Sequence, residues 1–149
     1  MAAAATAMGL LTGCGAPTAG AAGISVDASG RPVGYVAVCG SHIDGLTLYS
    51  EKADGHLSTI NTWVPVHPIE PGVTSWPLNG ILPGWGADWP TTTLVPRVTY
   101  VLYGWTTDNS WTAVHIDFTV ADLKSLSPGR VSFFGGTAKT ADFGKKACH

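Results

Sequence analysis

The chain has 149 residues, a formal net charge of −2 and a charged share of only 12% beside a hydrophobic share of 45%. That length is the size of one domain, and a charged share so far below the usual ~25% leaves Gly, Pro, Ser and Thr to fill the remainder, the profile of strands joined by many turns. No basic cluster exceeds Lys145-Lys146, so the electrostatic footprint needed to hold a phosphate backbone is missing and nucleic acid is excluded as a partner.

Ala2 to Leu11 is a short apolar stretch without Pro or charge, the length of a signal-peptide core and too short to span a bilayer. It runs into Leu11-Thr12-Gly13-Cys14. This sequence resembles the lipobox of bacterial lipoproteins, in which an aliphatic residue and two small residues precede a cysteine. Small residues let the peptide lie extended in the processing protease, and only a thiol supplies the sulfur for a thioether. The resemblance implies removal of residues 1–13 as a signal peptide and acylation of Cys14, which places the rest on the extracytoplasmic face of a cell membrane. Two acyl chains, at ~0.8 kcal/mol per buried methylene, anchor a protein stably without a helix. No Lys or Arg lies between Met1 and Cys14, so the natural start is expected upstream of Met1.

Gly15 to Gly23 contains only small residues and Pro, with no side chain able to build a core. Residues 14–23 are therefore expected to be a flexible, lipid-anchored tether with a reach of roughly 15 to 18 Å, and residues 24–149 a folded domain. With Cys14 consumed by lipid, Cys39 and Cys148 remain as an even pair in a compartment where disulfides persist, and a bridge between them is the preferred reading. Two buried thiols are one alternative. The other is a zinc or copper site in which Cys39 and His42 combine with Cys148 and His149.

Within the domain, Ile24 to Asp27, Val33 to Cys39 and Ile43 to Ser50 read as strands, the last with Leu46 and Leu48 facing in and Thr47 and Tyr49 facing the other way. Asp44-Gly45 suggests a bulge and Asp54-Gly55 a turn. Trp63 to Val66 is a shorter candidate. Ser75 to Pro90 then sets Trp76, Trp85 and Trp89 among prolines and glycines with no period, which predicts a long ordered loop. Such a loop has two readings. Exposed indoles, with Asp88 or Asn79 as hydrogen-bonding partners, could stack on a cell-wall glycan. Alternatively the rings fold back and plug one end of the domain, which the large area of each ring favours.

Arg97 to Trp105 is rich in β-branched and aromatic residues, and Thr106 to Ser110 is turn chemistry. In the next segment Val114, Ile116, Phe118 and Val120 alternate with His115, Asp117 and Thr119, so the two segments are expected to form a hairpin whose second strand has one dry and one wet face. Val120 to Leu126 offers a helical turn or two. Leu126-Ser127-Pro128-Gly129 follows, leading into a last short strand over Val131 to Phe134.

About seven strands with turn signals between them predict an antiparallel β-sandwich. The Leu126-Ser127-Pro128-Gly129 turn resembles the one that enters a late strand in fibronectin type III and related immunoglobulin-like domains, implying a fold of that kind. The segment from Tyr100 to Phe133 is also similar to small exported proteins of high-GC Gram-positive bacteria, a resemblance that brings no chemistry with it.

The histidines are scattered over different elements, and no nucleophile elbow, phosphate-cradling loop or papain-like cysteine is present in the sequence. The expectation is an envelope-anchored binding module without catalytic residues or cofactor, whose partner is an envelope protein or a cell-wall glycan.

Overall fold

The computed structural model describes residues 15–88 and 93–149. The signal segment, Cys14 and Trp89 lie outside the described residues. The strands are β1 (Thr18–Val26), β2 (Pro32–Val38), β3 (Gly45–Glu51), β4 (Leu57–Pro65), β5 (Gly72–Pro77), β6 (Trp85–Ala87), β7 (Thr99–Trp105), β8 (Thr112–Phe118), β9 (Arg130–Phe133) and β10 (Gly136–Lys139). Two short helices, α1 (Val120–Ser125) and α2 (Phe143–Ala147), complete the order, with a 3-10 turn over Thr140–Asp142 ahead of α2. The fold is all-β: the strands join into one curled mixed sheet, in the order β10-β9-β1-β8-β7-β3-β4-β6, with β2 and β5 branching from β1.

β1 is the hub. One edge pairs antiparallel with β2 from Gly20↔Val38 to Val26↔Pro32. The other edge is divided: Thr18 to Ala21 pair parallel with β8, and Gly23 and Ile24 pair antiparallel with β9. The consequence corrects the expectation of a tether over 14–23, because the small residues from Thr18 onward form the first half of the central strand and are buried from Ala19 to Val26. The cause is steric. A Cβ on Gly20 would lie 1.8 Å from the Ala37 carbonyl oxygen, and one on Gly23 would lie 2.6 Å from Val131 Cγ1. Small side chains are what a strand needs when layers close on both of its faces.

On one face of β1, Ala22, Ile24 and Val26 enter the main core with Val36, Leu46, Leu48, Leu102 and Phe118. Over the other face, β9, β10 and α2 fold back to make a second, smaller core of Ala37, Val131, Ala138 and Phe143. Edge-to-face contacts of Phe143 with Tyr35 and Phe133 pack this layer. The curl is drawn together by indoles: Trp63 of β4 meets Trp76 of β5 at 5.7 Å between ring centroids, and Trp76 meets Trp85 of β6 at 5.8 Å. An isolated bridge between Ile43 and Ile69 adds a second stitch.

The predicted hairpin forms, with β7 antiparallel to β8. Its alternation is broken once. Between Leu102↔Ile116 and Gly104↔Ala113, β7 advances two residues and β8 three, so Val114 and His115 sit in a β-bulge. Ile116 and Phe118 stay on the inner side while Val114 joins the outer one. The expected bulge at Asp44-Gly45 is instead a clean start to β3, and the irregularity opposite that strand is in β4, where Ile60 is the extra residue between Asn61↔Leu48 and Thr59↔Tyr49. α1 is capped at Thr119, whose side chain accepts from the Asp122 N–H while the Asp122 carboxylate accepts from the Thr119 N–H.

Candidate functional site

Outward-facing positions of β3 and β7 build an aromatic surface feature. With β8 on one side and β4 on the other, they line a groove of about 550 Å³. Cross-strand pairing puts Thr47 opposite Tyr103, Tyr49 opposite Val101 and Glu51 opposite Thr99, and Val101 opposite Asp117 on the far neighbour. Strand alternation alone sends these residues outward, because their neighbours Leu46, Leu48, Tyr100 and Leu102 fill the core.

The groove is aromatic at its centre. Tyr49 and Tyr103 stack at 5.6 Å with an interplanar angle of 14°, and their hydroxyls lie 3.4 Å apart. Burial of the phenol, then the hydrogen bond its hydroxyl donates to the Tyr49 oxygen, pushes Tyr103 up to about 12. Its hydroxyl is therefore protonated at neutral pH and able to donate. At the end of β7, the Trp105 ring lies over Gly45, where a Cβ would come 2.3 Å from the indole. Trp105 Nε1 donates to Thr47 Oγ1 at 2.9 Å, so the ring is held by a hydrogen bond as well as by the flat glycine beneath it.

Polar groups rim this surface. His115 Nε2 and Asp117 Oδ1 are 3.7 Å apart, both more than half exposed, and Glu51 and Leu57 close the opposite side. A planar aromatic centre, a phenol donor and flanking carboxylates can hold a ligand carrying both apolar faces and hydroxyls. The sequence reading placed His115 and Asp117 on a wet face but did not single out Tyr49, Tyr103 or Trp105. The signal was there in the outward phase of the two strands, yet the pairing register that brings them together lies between segments about fifty residues apart.

The residues that were singled out fall elsewhere. Cys39 and Cys148 are bonded to each other, with Cα atoms 5.3 Å apart and 109 positions between them. Their sulfurs are thus not available as thiolate ligands. His42 pairs instead with Asp44 at 3.5 Å and His149 is exposed at the end of the chain. Among the described residues no three side chains of metal-binding type converge. Of the Trp-rich segment, Trp76 is buried at the end of β5, Trp85 is half-buried in β6 and Asp88 is exposed, so the segment is two strand ends with a turn between them. Trp89 lies outside the described residues. The indoles of Trp76 and Trp85 face each other and the core, so these two rings do not form a bare pair for a sugar.

Among the described residues no helix is long and apolar enough to cross a membrane. Comparison of the chain with protein-family models, with curated proteins and with solved structures finds no match.

Proposed function

We propose that this protein is an extracytoplasmic lipoprotein, held to the cell membrane through acyl chains on Cys14, and that its β domain is a non-catalytic binding module. The observation that carries this reading is the Cys39–Cys148 bridge, since disulfides persist in oxidising compartments and are rare in the cytosol. It supports the export implied by Leu11-Thr12-Gly13-Cys14 from a part of the chain more than a hundred residues away. The immunoglobulin-like or fibronectin-III-like character of the fold belongs to the same proposal. It draws on the Leu126-Ser127-Pro128-Gly129 turn into β9 and on the way the curled sheet folds over itself.

The intact mass of protein extracted from membranes tests the anchor. The expected product lacks residues 1–13, carries a diacylglyceryl group on Cys14 and contains no free thiol. An uncut, unacylated, water-soluble product would overturn the reading.

For the binding surface the outer groove of β3, β7 and β8 is favoured over the Trp-rich segment, because Tyr49 and Tyr103 stack on an outer face whereas Trp76 is buried and Trp85 packs against it. Its aromatic and carboxylate composition favours a glycan as ligand, with an envelope protein as the competing partner. Soluble cell-wall glycan fragments titrated into the folded protein should shift the fluorescence of Trp105, and Tyr103→Ala should remove the shift. An unchanged spectrum at millimolar glycan would remove the glycan reading and leave the protein partner.

A further inference from the structure

The lipid anchor and the fold together fix a distance, and that distance has an orientation in it. Pro17 is already part of the domain, because its carbonyl accepts a hydrogen bond from the Thr112 N–H at 3.0 Å. Only Gly15 and Ala16 separate it from Cys14. An extended chain spans at most ~3.6 Å per residue, so Pro17 can stand no more than about 11 Å from the anchor cysteine. The headgroup layer of one leaflet is itself roughly 5 to 8 Å deep. The start of β1 is therefore held at the membrane surface.

The residues at that end of the sheet can be named from the pairing. Thr18 lies beside Thr112, and Ala19 accepts from the Cys39 N–H, which brings the disulfide and the end of α2 alongside. β9 runs antiparallel to β1 and Phe133 pairs level with Gly23, so the β9–β10 turn points toward the same end from midway along β1, beside the end of α2. Phe134 sits at the tip of the β9–β10 hairpin with 69% of its surface exposed. Lys145 and Lys146, both exposed, line one hollow with it, together with Asp142 and His149. An uncovered aromatic ring next to two ammonium groups is the composition of an interfacial contact: the ring enters the headgroup boundary and the lysines meet lipid phosphates.

We infer that the domain leans the surface bearing Phe134, Lys145 and Lys146, which flanks the first half of β1, onto an anionic lipid surface, as a second contact beside the acyl chains. This inference rests on the lipoprotein reading and deepens it. It presents the opposite end, with the Asp27–Arg31 and Lys52–His56 turns, away from the bilayer, and sets the outer groove side-on, open along its length from Thr18 to Leu57.

The test uses the acylated protein on vesicles of equal phosphatidylglycerol and phosphatidylcholine, on pure phosphatidylcholine vesicles and in detergent, followed by amide hydrogen exchange with peptide resolution. Segments covering 133–136 and 143–149 should exchange severalfold more slowly on the anionic vesicles than in detergent, while 27–31 and 52–56 stay unchanged. Each lysine near an anionic surface contributes a factor of roughly five in association. The double variant Lys145→Glu/Lys146→Glu should therefore lose the protection while staying on the vesicles through its lipid, and Phe134→Ser should reduce it. Acylated, vesicle-bound protein with equal exchange in detergent and on anionic vesicles, or with protection at the 27–31 end, overturns the inference and leaves the anchor standing. Protection by a protein partner would persist on pure phosphatidylcholine and ignore the charge reversal, which also overturns it. A mass without acyl chains removes the anchor and this orientation with it.

Discussion

β1 against β2 and Trp105 over Gly45 are two places where this protein uses glycine to bring layers close, and they differ in what the missing Cβ makes room for. At Gly20 the space is taken by the Ala37 carbonyl oxygen, part of a neighbouring strand that cannot rotate away. At Gly45 it is taken by an indole that could turn aside. The inner site is therefore structural in the strict sense, while the outer one shapes a half-exposed surface on which a ligand can sit. A run of small residues, which by composition suggests freedom, here marks the most constrained strand in the molecule.

The sharpest way to break that contrast is Gly20→Ala. With its Cβ driven into backbone, the substitution should cost about 4 kcal/mol or more, or abolish folding. Gly15→Ala, where a Cβ meets nothing within 4 Å, should change stability by less than about 0.5 kcal/mol. Urea midpoints of the two variants decide the matter. A Gly20→Ala protein as stable as the parent would return residues 18–23 to the status of a tether.

Next in size is the bridge that ties the end of α2 to the end of β2. Closing a loop of 109 residues contributes up to ~4 to 5 kcal/mol in chain-entropy models, and more often ~2 to 4 in practice. Cys39→Ser/Cys148→Ser should lower the urea midpoint accordingly, and adding reductant to the parent should reproduce the shift. No effect of either would mean that the inner layer over β1 holds by packing alone.

The smallest effect belongs to the outer face. Tyr103 is held near 12 in the folded protein against an ordinary value of about 10. Its folded value being the higher, the stability it contributes is complete below pH 10 and is lost as the pH rises through 12. Ultraviolet titration should find one tyrosine ionising close to pH 12. Tyr49→Phe should bring that value down only part of the way, since burial is the larger cause and the Tyr49 hydroxyl the smaller. Full return to about 10 would mean that the hydroxyl contact, not burial, governs the site.

Much of the architecture was legible before any coordinates. The β-branched and aromatic content of Arg97 to Trp105, the turn chemistry of Thr106 to Ser110 and the alternation from Val114 to Val120 sufficed for the hairpin, because all depend on neighbours in sequence. The same holds for α1, where Asp122 comes early and Leu123 and Leu126 lie three residues apart, while its Thr119 cap was seen only in the structure. β5, β6 and β10 were not legible. Gly72–Pro77 and Trp85–Ala87 carry prolines and glycines within or beside them, and become strands only because β2 and β4 offer their edges. The bulge in β8 escaped for a related reason: a bulge is a mismatch between two strands and has no signature in either alone.

The sequence by itself determined the all-β class and the inward phase of Leu46 and Leu48, and made a Cys39–Cys148 bridge the preferred reading beside two thiols or a metal site. All of these follow from local periodicity or from simple parity. Only the tertiary structure decided that Thr18 to Gly23 is a central strand, that Trp76 closes the curl, and that Tyr49, Tyr103 and Trp105 share one face. Those facts depend on which distant segment lies alongside, and a side chain's size or a glycine's absence of one acquires its meaning only when that neighbour is in place.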